Sequence, residues 1–302
     1  MLQILGKTNI DFIGKKTYSF AISAALILLG ILAIVQIGRG QANLGVDFVG
    51  GSTVQLSFDE HLPIDDARAA LEANGFAGAT LQEFTEGNKI LIKLRETEGV
   101  ADRVVDMFKK EFPERKFDLD SIIEIGPVIG KALQKDALLA LLISVIAIIA
   151  YIAIRFEFKF GVAAATATMH DVLTVLGIFY LLNKEINLLV FTALLTLAGY
   201  SLTDTVVVFD RIRENLKKGR REPLPTLVNN SVNEVLSRTL ITSITVILVL
   251  IPLVFFGGEV LHDFSLTLLL GVIVGTYSSV FVASPILVVW HAKQGGRLIK
   301  RK

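Results

Sequence analysis

The sequence predicts an α-helical membrane protein: six transmembrane helices, with an α+β domain inserted between the first and the second. Three observations carry that expectation. Hydrophobic residues make up 52% of the chain while the formal net charge is only +1, which excludes a disordered chain and gives no sign of nucleic-acid binding by charge. The apolar residues are gathered into long runs, each near the roughly 20 residues that a helix needs to cross a bilayer. Between the first and second runs the composition is that of an ordinary soluble domain. Cysteine is absent, so there is no disulfide framework and no thiolate metal site, and His61, His170, His262 and His291 lie too far apart for a local metal cluster.

Residues 1–37 comprise a short polar arm, with Lys7, Lys15 and Lys16, and the first span at 18–37. That apolar run is too long for a signal-peptide core and lacks a small-residue cleavage site, so it is expected to remain as an anchor. Residues 38–136 form the inserted domain. Residues 52–58 alternate as a strand. Residues 63–74 read as a helix, with Pro63, Asp65 and Asp66 at its start and Gly75 after its end. Thr80–Phe84 and Lys89–Leu94 are strands around a turn, residues 100–112 are an amphipathic helix stopped by Pro113, and Phe117–Ile125 is the last strand. The order β-α-β-β-α-β is the split, ferredoxin-like pattern, which hosts many functions and argues for none. Residues 137–290 hold the other five spans, at 137–154, 161–182, 187–209, 238–256 and 264–290; a basic tail, 291–302, follows.

The ionisable residues inside these runs are the candidate site. Asp204 lies in the fourth span, flanked by Ser201, Thr203 and Thr205. A charged side chain at the bilayer centre costs about 2.5–3.5 kcal/mol on insertion scales. Asp204 is therefore either satisfied by hydroxyls in a helix seam or a group that takes up and releases a proton or ion. Arg238 opens the fifth span and shares a face with Thr242 and Thr245, a stripe that Ser231 and Glu234 continue backward. It reads as a snorkelling anchor or as the partner of Asp204, since pairing would lower the cost of burying both charges. His170 and Asp171, in the third span, are a second candidate proton carrier or a hydrogen-bonded packing pair. In the sixth span Gly271, Gly275, Ser279 and Ala283 recur every four residues, a small-residue row for close helix packing. Pro252 and Pro285 are expected to kink their helices.

Four segments resemble one family across essentially the whole chain: LGVDFVGGS at 44–52, the pair His170–Asp171, GYSLTDTVVVFDRIREN at 199–215 and NNSVNEVLSRTLITS at 229–243. With the six-span layout, they resemble the SecF family, the smaller subunit of the bacterial SecDF accessory complex of Sec protein translocation. The resemblance implies half of a resistance-nodulation-division type bundle, with a SecD-like partner supplying the other half. It implies use of the proton-motive force to pull preproteins out after SecA and the SecYEG channel have moved them in. Asp204 matches the family's membrane-embedded acid and Arg238 its basic partner; preprotein capture belongs mostly to SecD. No cofactor, metal or enzymatic activity is implied. A small-molecule exporter of the same superfamily would need large paired extracytoplasmic domains. A structural scaffold would tolerate loss of the Asp204 charge, and a membrane hydrolase would need a Ser near His170–Asp171.

Orientation follows from the basic residues at the span ends. Lys7, Lys15 and Lys16; Arg155 and Lys159; Arg211, Arg213, Lys217, Lys218, Arg220 and Arg221; and Lys293, Arg297, Lys300, Arg301 and Lys302 all fall on one side, against Lys184 in the short loops of the other. Both termini are thus expected in the cytoplasm of a bacterial cell, and the inserted domain outside the cytoplasmic membrane. Cysteines placed singly at Glu86 and Lys218 should differ accordingly. An impermeant thiol reagent applied outside should label only the first; labelling at position 218 in intact cells would reverse the orientation.

Overall fold

The computed structural model describes residues 8–84, 88–96, 99–218 and 222–294. Lys7, Glu86, Arg220, Arg221, Arg297, Lys300, Arg301 and Lys302, named above, lie outside the described residues. The chain runs α1 (Lys16–Gly38), α2 (Val46–Val49), β1 (Gly51–Phe58), α3 (Ile64–Ala73), β2 (Thr80–Phe84), β3 (Lys89–Leu94), α4 (Val100–Glu111) and β4 (Phe117–Ile125). It continues as α5 (Pro127–Arg155), α6 (Phe158–Leu181), α7 (Leu188–Lys217), α8 (Leu224–Phe256), α9 (Gly258–Ser278), a π-helical turn (Ser279–Ala283) and α10 (Ser284–Gln294). Among the described residues six helical segments are long and apolar enough to cross a membrane.

Several helices outrun the apolar runs that announce them. α5 starts at Pro127, so the boundary drawn at residue 136 falls inside a continuous helix; Pro127 at its first turn is preset for helical φ. α7 continues to Lys217, and α8 begins at Leu224, well before Arg238. Hydrophobicity marks depth in the bilayer, whereas helices extend as long as one face finds cover. For the first turns of α8 that cover is given by buried Leu227, Val228 and Val232.

The inserted domain is a four-stranded antiparallel sheet of order β2-β3-β1-β4. Alternation puts Val54, Leu56 and Phe58 of β1 and Ile90, Ile92 and Leu94 of β3 on one face, where they share a core with Leu71 of α3 and Val104 and Phe108 of α4. Phe108 sits within 6.3 Å of three other rings, those of Phe58, Phe112 and Phe117.

The bundle has two apolar cores with a polar belt between them. At the end carrying the domain, Ala33, Phe48, Ala137, Phe179, Val190 and Leu197 pack together. At the opposite end Ile152, Phe160, Phe209, Leu227 and Leu287 do so. Between them lie buried His170, Asp171, Thr174, Ser201, Asp204, Ser243, Ser278 and Ser279. The N-terminal arm is less polar in its role than in its composition: Phe12 and Ile13 are buried in the second core. It is stitched to α8 by Asn229, whose Oδ1 accepts from Phe12 N at 2.8 Å, and by Asn233, whose Oδ1 accepts from Ile10 N at 2.9 Å.

Pro285 acts through the π turn. It has no N–H to offer Phe281 O four residues back, and that carbonyl accepts instead from the Ser19 hydroxyl of α1 at 3.0 Å. Truncation of the domain's central ring, Phe108→Ala, should cost about 3–5 kcal/mol. The expected readout is faster proteolysis of the 38–136 segment in full-length protein, with the spans still protected.

Candidate functional site

Asp204 enters the polar belt from α7 because the small and hydroxyl residues around it let neighbouring helices approach. Its carboxylate is buried, with Oδ1 3.4 Å from the Thr242 hydroxyl and Oδ2 3.4 Å from the Ser243 hydroxyl of α8. Both contacts are long for O–H···O bonds. Ser243 is shared with Thr276 of α9 at 2.6 Å. The carboxylate lines a cavity of about 330 Å³ together with Tyr200, Thr203, Thr245 and Arg238.

The expected Asp204–Arg238 ion pair is not made in this state. Both residues line the cavity, but the carboxylate faces the Thr242 and Ser243 hydroxyls, a turn further along α8, at 3.4 Å while Arg238 stays exposed; the Thr242 proton has a closer acceptor in Thr239 O, at 2.8 Å. The cavity wall includes Thr203, Thr242 and Thr245, and Thr192 and Thr196 lie further back along α7; all five are exposed. Each of these hydroxyls turns back onto a carbonyl of its own helix, at 2.7–3.2 Å.

His170 and Asp171 are fully buried and bonded to each other, Nδ1 to Oδ1 at 2.9 Å. Asp171 Oδ2 accepts from Ser201 of α7 at 2.5 Å and from Ser278 of α9 at 2.7 Å. One carboxylate therefore ties three helices together. The hydroxyls reach the carboxylate and not the imidazole, whose Nε2 has no partner among the described residues; a Ser nucleophile needs its hydroxyl on the base. The ring lies 6.0 Å from that of Tyr277.

The small-residue row of the last span faces α7 within this chain. A Cβ on Gly271 would stand 2.4 Å from Leu197 Cδ1, and one on Gly275 3.0 Å from Ser201 Cβ. Ser279 is buried one turn on, its hydroxyl on Thr276 O at 3.0 Å. Sequence reading missed Ser243, Thr276 and Ser278 as members of the site. The signal was present in Thr276 and Ser278, which flank Tyr277 immediately after Gly275.

Six spans around two buried carboxylates, with a ferredoxin-like domain after the first span, define a multi-pass membrane protein of resistance-nodulation-division-like architecture. Residues 104–293 match the family described as protein export membrane protein SecD/SecF, C-terminal, and residues 42–60 match the SecD/SecF GG motif. The chain is 53% identical to the protein translocase subunit SecF of Thermodesulfovibrio yellowstonii, over 96% of this chain and 97% of that one. It is 37% identical to that of Endomicrobium trichonymphae, over 98% and 96%. The crystal structure of SecDF from Thermus thermophilus, a translocon-associated membrane protein, superposes with a TM-score of 0.82 at 36% identity, covering 94% of this chain and 39% of that chain. A second SecDF structure, in a super-membrane-facing form, gives 0.71 at 36% identity, over 96% and 40%. The chain belongs to the SecF family of protein translocase subunits, and spans about two fifths of those SecDF chains.

Gly275→Leu should force α9 away from Ser201 and loosen the Ser201–Asp171–Ser278 junction. The expected loss is about 1–3 kcal/mol, the usual range for overpacking, read as a lower thermal midpoint in detergent. An unchanged midpoint would place this face outside the helix seam.

Proposed function

We propose that this chain, with a SecD-like partner, uses the proton-motive force to complete preprotein export across the bacterial cytoplasmic membrane after SecA and SecYEG, and that Asp204 is its proton-coupling group. The observation that carries the reading is the setting of that carboxylate. It is buried between two apolar cores, held by two long hydroxyl contacts, and open to a cavity whose wall includes Arg238. Burial favours a neutral acid, and a facing guanidinium favours a carboxylate. With these opposed, a modest change in the cavity decides whether the proton is kept. One charge moved through 100 mV is worth about 2.3 kcal/mol, enough to drive the exchange.

In the charged form Arg238 closes on Asp204; in the neutral form the contact is released and α7 shifts against α8. The Asp171 junction sets what moves with α7, since α6, α7 and α9 are bonded through it more tightly than α8 is bonded to Asp204. His170, whose Nε2 has no partner among the described residues, is the next proton carrier in line. The exposed threonines and Arg238 on α7 and α8 support a helical partner over this face, because polar side chains in spans turn toward a bundle interior. The chain works by motion and not by catalysis, with both termini cytoplasmic and the domain outside. Arg155, Arg211, Arg213, Lys217 and Lys218 support that orientation, lying at the bundle end opposite the domain.

Asp204→Asn mimics the protonated form. In vesicles carrying the whole complex, gradient-dependent preprotein release should fall to the level seen without a gradient, at wild-type protein levels. Wild-type release from Asp204→Asn would sink the assignment and pass the role to His170 and Asp171.

A further inference from the structure

The segment LGVDFVGGS has no part in the site, yet it is wound around the domain-side end of α7. Residues 43–45 run beside the α6–α7 connection. Ile186 N donates to Asn43 O at 2.8 Å, Gly45 N to Ile186 O at 3.0 Å, and Asn43 Nδ2 to Asn183 O at 3.1 Å. Asp47 Oδ2 then accepts from Leu188 N, the first residue of α7, at 3.0 Å, while Asn187 accepts from Val190 N at 3.0 Å. Two of the four N–H groups that a helix start leaves without an intrahelical partner are thus satisfied, one of them from outside the helix. Phe48 packs edge-on against Phe191 of α7, with centroids 5.2 Å apart.

The approach is tight enough to need glycine. A Cβ on Gly45 would lie 2.9 Å from Cβ of Asn187, the cap residue of α7, and one on Gly51, at φ +147°, 2.2 Å from Leu94 O of β3. A second link crosses the same junction: Lys93 Nζ of β3 meets Glu185 Oε2 at 2.5 Å, and the two side chains are only 17% and 15% exposed. The start of α7 is therefore bonded to the inserted domain twice, through Asp47 just before β1 and through Lys93 on β3.

We propose that Asp47 and the Lys93–Glu185 pair are positioning residues that hand a displacement of α7 to the inserted domain. The proposal rests on the coupling role of Asp204. Leu188 lies sixteen residues before Asp204, about 24 Å along the same helix at 1.5 Å per residue. A continuous helix carries an axial shift over that span, and the cap and ion pair prevent its loss in the connecting loop. The GG segment is thus a mechanical joint, and its glycines are what let the joint close.

The test measures two quantities in vesicles containing the whole complex: gradient-driven proton flux and preprotein release. Glu185→Lys sets two cations together and should lower release by roughly tenfold or more, with flux kept within about twofold; the exchange Glu185→Lys with Lys93→Glu should restore release. Asp47→Ala should lower release in the same flux-sparing way. Wild-type release from Glu185→Lys, failure of the charge exchange to rescue, or proportional loss of flux and release would overturn the joint. Asp204→Asn, run in parallel, reports on the coupling role separately through flux itself. The joint is judged by the ratio of release to flux, whichever group carries the proton.

Discussion

A carboxylate inside a bilayer has to be answered by protein groups or by a polar cavity, because lipid tails offer it no partner. The bundle does this twice, with different firmness. Asp171 is answered by an imidazole and two hydroxyls at 2.5–2.9 Å from three helices. Asp204, one turn along α7 from Ser201, is answered by two hydroxyls at 3.4 Å and a cavity. One site is a lock and the other a loose contact, and they share a helix. The small residues at Gly271 and Gly275 follow from this need, since larger ones would hold α9 and its hydroxyls away.

The inserted domain was legible because each signal was local. Alternation in 52–58, the acidic start of 63–74 and the stop at Pro113 depend on neighbours in sequence, and the ferredoxin-like strand order follows from them. The spans were legible as apolar runs, but their ends were not. The polar start of α8 is helical through tertiary cover, which no window of hydrophobicity reports, and α5 begins at Pro127, ahead of its apolar run. The same limit applied to the site. Asp204 and Asp171 stood out as charges in apolar runs, yet Ser278 meets Asp171 across 107 positions of sequence. Arg238 was paired with Asp204 by charge, whereas the contacts the carboxylate makes are long ones with hydroxyls.

The two ends of the bundle are closed by opposite means. At the domain end, backbone meets backbone, and glycines make the approach possible. At the other end, side-chain amides stitch the arm: Asn229 and Asn233 each use both amide atoms, donating to Ile10 O and accepting from the arm's N–H groups. Asn215 extends the network by donating to Ser231 at 2.9 Å and Glu234 at 2.8 Å, joining α7 to α8. Helix α8 is thus anchored at its start and loosely held at its middle, where the cavity lies.

The π turn at Ser279–Ala283 sets the phase of everything beyond it. A turn that closes on the fifth residue holds one residue more than an α-helical turn, and one residue corresponds to about 100° of rotation. Leu287 and Val288 reach the second apolar core from α10 because that rotation has already been made. An uninterrupted α-helix through the same positions would aim the row begun by Gly271 and Gly275 and the residues of α10 by one common periodicity. The last span is instead two helices in register with two different neighbourhoods, one polar and close-packed, the other apolar, with Ser19 of α1 bonded to the carbonyl at the seam between them.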